Sequence, residues 1–257
     1  LADAGLYADR LSINIELPSD AAIEEFAPEK SGPLIRKTMA DLSGRITEAK
    51  VERRKSRKAP LFAPGGHSTQ MIVGADASDD ATILQTSSKL YTGVGLKRVY
   101  YSAFSPIPDA SKRLPLAAPP LMREHRLYQA DWMLRFYGFS VGEILGGAQG
   151  GHLDLEVDPK LAWALMNRDQ FPVDLNRAPR EMLLRVPGLG TKGVGAILRA
   201  RRFGRLRLAD VERLCRSTKK MRAWIIAADW QPGRWLDGAN LRSQMVRPAR
   251  QMELFAA

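Results

Sequence analysis

The sequence predicts an α/β segment followed by an all-α module. Three observations carry that reading: short runs of apolar–polar alternation in residues 1–110, long polar helical stretches between them, and a Pro-Gly-Leu-Gly break between two apolar-striped segments near Gly188. Residues 10–17 alternate as a strand and stop at Pro18, residues 69–75 form a second strand, and residues 98–104 a third. Residues 33–57 and 78–93 read as helices, the second with Asp79 and Asp80 at its N-terminal end. The order β-α-β-α-β predicts a parallel sheet with crossover helices. In such sheets the polar residues at the carboxyl ends of strands face a ligand crevice, and Asn14, Glu16, Gly74, Asp76, Ser102 and Ser105 hold those ends.

Pro119-Pro120 opens a further helix whose apolar residues, from Leu121 to Tyr137, cover too wide an arc for a surface helix. On it, Glu124, His125 and Arg126 read as a structural salt-bridged cluster, with a place at an active-site mouth as the alternative. Gly146-Gly147 and Gly150-Gly151 mark a flexible turn. In the C-terminal part, Pro179 and Glu181 suit a helix start, and Met182, Leu183 and Val186 give it an apolar stripe. Pro187-Gly188-Leu189-Gly190 breaks the helix, and Val194, Ile197 and Leu198 begin another. A degenerate copy follows at an offset of 28 residues. It sets Leu183 against Val211, Val186 against Leu214 and Ile197-Leu198 against Ile225-Ile226, with a glycine-free second hairpin at residues 215–220. Cys215 reads as a small hairpin residue, and Trp224 and Trp230 as core.

Charge is concentrated in the same region. The 257 residues carry a net charge of +11 and a pI near 10.0. Between residues 176 and 222, fourteen basic residues face three acidic ones, which accounts for the entire net charge. A field of that kind points to a polyanion. The basic run at residues 50–58 is offset by Glu48 and Glu52 and reads as a solvated face. One cysteine excludes a disulfide framework, and it excludes a thiolate-ligated cluster built by this chain alone. The three histidines are far apart, so no metal site is expected. No apolar run approaches the ~20 residues of a spanning helix. The expectation is a soluble, cytoplasmic, nucleoid-associated protein with no membrane partner.

Residues 175–202 resemble the DNA-binding helix-hairpin-helix motif, whose hydrophobic-Gly-hydrophobic-Gly hairpin holds backbone phosphates without reading sequence. The hairpin amides and the following helix start would cradle a phosphate. The resemblance implies DNA contacts from Pro187, Gly188, Leu189, Gly190, Thr191 and Lys192, with Arg199, Lys219 and Lys220 adding charge.

The first part carries a second resemblance. Leu11-Ser-Ile-Asn-Ile-Glu-Leu-Pro18, Gly66-His-Ser-Thr-Gln-Met-Ile-Val-Gly-Ala75, Tyr100-Tyr-Ser-Ala-Phe-Ser-Pro106 and Arg123-Glu-His-Arg-Leu-Tyr-Gln-Ala-Asp-Trp132 resemble a radical S-adenosylmethionine family of DNA modification and repair proteins. That family carries a C-terminal helix-hairpin-helix and is linked with uracil-DNA-glycosylase-like proteins. The resemblance implies S-adenosylmethionine and a [4Fe–4S] cluster for the complete protein. It departs at the family's three-cysteine motif, which this chain lacks, so no cofactor is expected on the chain alone. The chain opens at Leu1 rather than Met, and its resemblance to the family begins at about the family's fourth strand. The implied architecture is therefore the C-terminal half of a partial (β/α) barrel (1–118), a helical linker (119–150), a tandem helix-hairpin-helix module (151–231) and a basic tail (232–257). Asn14 and Glu16 would meet the ribose or aminocarboxylate, and Ile72, Val73 and Gly74 would lie along the adenine.

Three functional expectations follow. The chain is the C-terminal portion of a radical S-adenosylmethionine enzyme acting on DNA, a non-catalytic sequence-independent DNA-binding protein, or one subunit of a split enzyme. In the last case the missing half-barrel would be a separate chain that pairs with the open edge of the sheet.

Overall fold

Two small parallel sheets and many helices make a mixed α/β fold. The computed structural model describes residues 1, 3–108, 111, 113–215, 218–238 and 240–246. Two units divide the chain. The first comprises Leu1–Asp131 with Ala148–Leu153, and the second Trp132–Gly147 with the chain from Asp154 onward.

In the first unit the elements run α1 (Ala4–Tyr7), β1 (Leu11–Ser12), α2 (Asp20–Phe26), α3 (Gly32–Lys55), β2 (His67–Val73), α4 (Asp80–Gly93), β3 (Arg98–Ala103) and α5 (Leu121–Trp132). The strands are parallel in the order β1-β2-β3. Side-chain caps set the helix starts. Ser19, Ser31 and Asp79 accept from the amides of Ala22, Leu34 and Thr82, and each cap contributes about 1 kcal/mol. The Thr82 bonds hold the Asp79 carboxyl below its ordinary range.

The first strand is much shorter than its alternation predicts. Leu11 pairs with His67 and Ser12 with Ser68, yet Glu16 bridges Met71, so one extra residue has entered the first strand. The Thr69 hydroxyl takes the Ile15 amide at 2.9 Å in place of a ladder carbonyl, and Glu16 adopts φ +67°. Pairing then resumes, with Glu16 N–H on the Gln70 carbonyl and Ile72 N–H on that of Glu16.

The two faces of this sheet differ. Thr69, Met71, Val73, Val99 and Tyr101 are buried, and Leu11 packs with Leu42, Ile46 and Phe62 beneath α3. Full burial of each such apolar side chain contributes on the order of 2 kcal/mol. Gln70, Ile72, Tyr100 and Ser102 remain partly exposed, which is unusual in a parallel sheet.

The edges differ as well. The outward amides of Val99, Tyr101 and Ala103 on β3 donate to Tyr91 Oη (3.0 Å), Tyr128 Oη (3.0 Å) and Glu124 Oε2 (2.9 Å). Tyr128 also donates to the Tyr101 carbonyl. Side chains of α4 and α5 thus close this edge to strand addition. On β1 and just beyond it, the amides of Ser12 and Asn14 have no partner among the described residues. The open edge is that of β1.

The second unit begins with a π-helical turn (Met133–Tyr137) ending at Gly138, φ +70°. It continues with α6 (Val141–Leu145), α7 (Pro159–Met166), β4 (Val173–Asp174), α8 (Arg180–Arg185), α9 (Thr191–Ala200), α10 (Leu208–Leu214), β5 (Ile225–Ile226) and α11 (Leu241–Met245). Phe139, Trp163, Phe171 and Trp224 stack edge-to-face in succession, with centroids 4.9–6.2 Å apart. Asn176 fastens the α9–α10 connection by accepting from Leu206 N–H and donating to the Leu206 carbonyl.

The sequence repeat is only half realised here. The segment matching α8 is helical (α10), but Ile225 and Ile226 form β5, parallel to β4, where the offset predicts a helix. Two adjacent β-branched residues directly after the buried Trp224 suit a strand better than a helix start. Trp224 is core, as expected, while Trp230 is half-buried with its indole N–H on the Arg222 carbonyl. Residues 216 and 217 of the second hairpin, and the tail from 247 to 257, lie outside the described residues.

Candidate nucleic-acid interface

The α8–α9 connection is a tight hairpin. Val186, Pro187 and Leu189 are buried, whereas Gly188 is exposed. Leu189 N–H bonds the Val186 carbonyl at 3.1 Å, and Gly188 has φ +81°, where an L side chain is strained. A Cβ at Gly188 would stand 3.0 Å from Lys220 Cβ and 3.3 Å from Met221 Cγ. Gly190, the N-cap of α9, differs: φ is −99°, and a Cβ there would meet only Tyr137 Oη, at an ordinary 3.5 Å. Neither backbone strain nor packing requires glycine at 190.

The amides of Gly190, Thr191 and Lys192 have no partner among the described residues. Lys192 projects from this first turn of α9, and Lys219 and Lys220 are exposed beside the hairpin. The fold therefore gathers Pro187 to Lys192 with Lys220 and its neighbour Lys219. Arg199 is exposed two turns further along α9.

Other charges of the basic window serve the scaffold. Arg185 is paired with Glu143 at 2.5 Å and lies over the rings of Phe139 and Trp163. Arg201 donates to the carbonyls of Leu175 and Ala178. Arg213 and Arg222 pair with Asp210 and Glu212. Cys215 caps the C-terminus of α10, and burial pushes its thiol pKa up, the opposite of what a nucleophile needs.

At the sheet end, Asn14 is exposed and accepts from Ser12 Oγ at 2.8 Å, while Glu16 is paired with Lys30 at 2.9 Å. Ile72 lies on the half-covered face. Gly74 has φ +79°, and a Cβ there would stand 2.8 Å from Pro119 Cγ, so a proline occupies the close approach that this glycine permits. Asp80, fully buried, accepts from Arg123 Nε at 2.7 Å and Leu153 N–H at 2.9 Å, with His152 3.7 Å away. His67 is buried in β2 and His125 is exposed on α5.

Among the described residues no group of three or more His, Cys, Asp or Glu side chains could hold a metal ion, and the sequence has one cysteine. These residues do not fit an iron–sulfur cluster. No helix among them is long and apolar enough to cross a membrane.

The chain matches no family model, no curated protein and no solved structure. The site therefore rests on its own geometry.

Two features escaped the sequence pattern. Phe203, 92% exposed just beyond α9, stands between Arg202 and Arg205. The run Arg-Arg-Phe-Gly-Arg, an apolar residue set among cations, was the available signal. The other is Lys160, buried beneath the hairpin. A lysine two residues after a helix-capping aspartate carries no signal of that placement.

Proposed function

We propose that the second unit binds the phosphodiester backbone of DNA at the 186–192 hairpin without reading base sequence. The observation that carries this reading is Gly190: its amide and the next two have no acceptor among the described residues, and neither its φ nor its packing against them requires glycine. A phosphate needs such close approach to backbone N–H groups, and Lys192, Lys219 and Lys220 supply the charge around it. The concentration of the whole net charge in this segment supports the same reading.

The test is duplex binding by fluorescence anisotropy as salt is raised. Binding in the micromolar range, indifferent to sequence and falling steeply with salt, is expected of phosphate-dominated contacts. Gly190→Ala should fold normally and bind roughly tenfold more weakly. If Gly190→Ala and Lys192→Ala both bind as the wild type does, the hairpin is not the site.

The half-covered face and open β1 edge of the first unit favour a second reading, in which the chain is the DNA-docking portion of a larger catalytic assembly. The family resemblance supplies that chemistry; a cluster would have to be ligated outside this chain. Anaerobic iron–sulfide reconstitution of this chain alone should give no cluster absorbance, and stoichiometric uptake would overturn that statement.

A further inference from the structure

Lys160 occupies the first turn of α7, two residues after the N-cap Asp158. It is 7% exposed. A lysine is almost never buried this deeply without a partner, and the N-terminus of a helix is the wrong end for a cation. Its Nζ donates to the Leu189 carbonyl at 2.6 Å and lies 4.5 Å from the centroid of the Tyr137 ring. The hairpin carbonyl and the aromatic face are what hold it in place.

The Leu189–Gly190 peptide is trans. In a planar trans peptide the C=O and N–H point in opposite directions. With its carbonyl turned inward to Lys160, this peptide turns the Gly190 N–H away from the protein, and no protein group among the described residues accepts it. Hydrogen bonds in such a chain polarise one another, so a proton on Lys160 makes the Gly190 amide a stronger donor.

We propose that Lys160 is a positioning residue for the hairpin: its ammonium grips the Leu189 carbonyl from inside, presents the Gly190 N–H to a backbone phosphate, and makes proton and phosphate bind cooperatively. This inference rests on the DNA-backbone reading above. The surrounding groups are few. Tyr137, on the π-helical turn, is kept a neutral phenol because burial raises its pKa. Asp158 favours the charged lysine but also pairs with Lys220 at 4.0 Å, from the turn after α10. The hairpin contributes the Leu189 carbonyl. Burial dominates and pulls the Lys160 pKa down to about 7. A phosphate outside the hairpin raises it again, so above that pH binding takes up a proton and affinity falls as pH rises.

The experiment is binding of a dye-labelled duplex to the full chain at fixed salt between about pH 6 and pH 9, with calorimetry in two buffers of different ionisation enthalpy to count protons. Wild-type affinity should fall several-fold above pH 7, by at most about tenfold per pH unit, with uptake of up to about one proton. Lys160→Met should bind more weakly at neutral pH and lose that dependence, and Lys160→Arg, charged throughout, should restore affinity with a flat profile. A wild type that binds without proton uptake overturns the proposal, as does a Lys160→Met variant that keeps the wild-type profile. A wild type that binds no duplex even at low salt overturns the backbone reading itself, and the two failures are thereby distinct.

Discussion

Gly188 and Lys220 lie in contact, so that a Cβ at position 188 would stand 3.0 Å from Lys220 Cβ. The residue that turns the hairpin is also the one that lets a lysine-bearing turn close against it. Gly188→Ala meets both a φ of +81° and that contact, and should destabilise the second unit by about 1–3 kcal/mol. Gly190→Ala meets neither and should shift the thermal midpoint little. Melting curves of the two variants therefore separate them, although both should bind duplex DNA more weakly. Equal destabilisation would refute the structural distinction drawn between the two glycines.

The basic residues divide in the same way. Lys219 and Lys220 are exposed at the hairpin, whereas Arg185 is clamped between Glu143 and two aromatic rings. Replacing Lys219 and Lys220 together by Ala should leave the melting temperature nearly unchanged. It should reduce the slope of log affinity against log salt by roughly 2, about one for each phosphate that is no longer neutralised. Arg185→Ala should do the opposite, lowering stability by roughly 1–3 kcal/mol because the two rings lose their cover and Glu143 keeps only its Ser140 hydrogen bonds, with a smaller change in slope. Salt titrations and urea denaturation of the three proteins decide this.

Much of the sheet unit was legible because its signals are local. Asp79 before an apolar-periodic run marks the start of α4, Pro33 stands in the first turn of α3 where the helical segment was read to begin, and alternation marks β2 and β3. The bulge in β1 was not legible, since it depends on the Thr69 hydroxyl, far away in sequence, capturing the Ile15 amide. Likewise the repeat after α9 predicted a helix at Ile225-Ile226. Pairing with Val173 and Asp174, some fifty residues earlier, makes it a strand instead. At the site, the Gly-Leu-Gly spacing announced the hairpin. The partners that give it meaning, Lys160 beneath and Lys220 beside, are brought there only by tertiary packing.

The closed edge of β3 gives a third prediction. Tyr128 both accepts from the Tyr101 amide and donates to the Tyr101 carbonyl, and Tyr101 is 3% exposed. Tyr128→Phe keeps the ring but strands a buried amide, which costs on the order of 1–3 kcal/mol. Hydrogen exchange at the Tyr101 amide should accelerate in step with the fall in stability. Glu124→Gln retains an acceptor for Ala103 N–H and should change stability by less than about 1 kcal/mol. If Tyr128→Phe leaves Tyr101 exchange unaltered, the edge is not held closed by that hydroxyl.

Lys160 also sets a pH dependence of stability that needs no ligand. Its pKa is near 7 when folded against an ordinary value of 10.5. Between those values the unfolded chain holds a proton that the folded chain does not. Unfolding free energy from this group therefore rises with pH across that window, by up to about 1.4 kcal/mol per pH unit. Below pH 7 the lysine is charged in both states and the folded protein carries the full penalty of burying it. Lys160→Met removes the penalty. The stability of the variant relative to wild type should thus be highest in mild acid and should decline steadily as pH is raised from about 7 towards 10, read by urea denaturation at several pH values. A relative stability that stays constant across that range would mean that Lys160 keeps its ordinary proton affinity when folded, and the coupling between its proton and the hairpin would go with it.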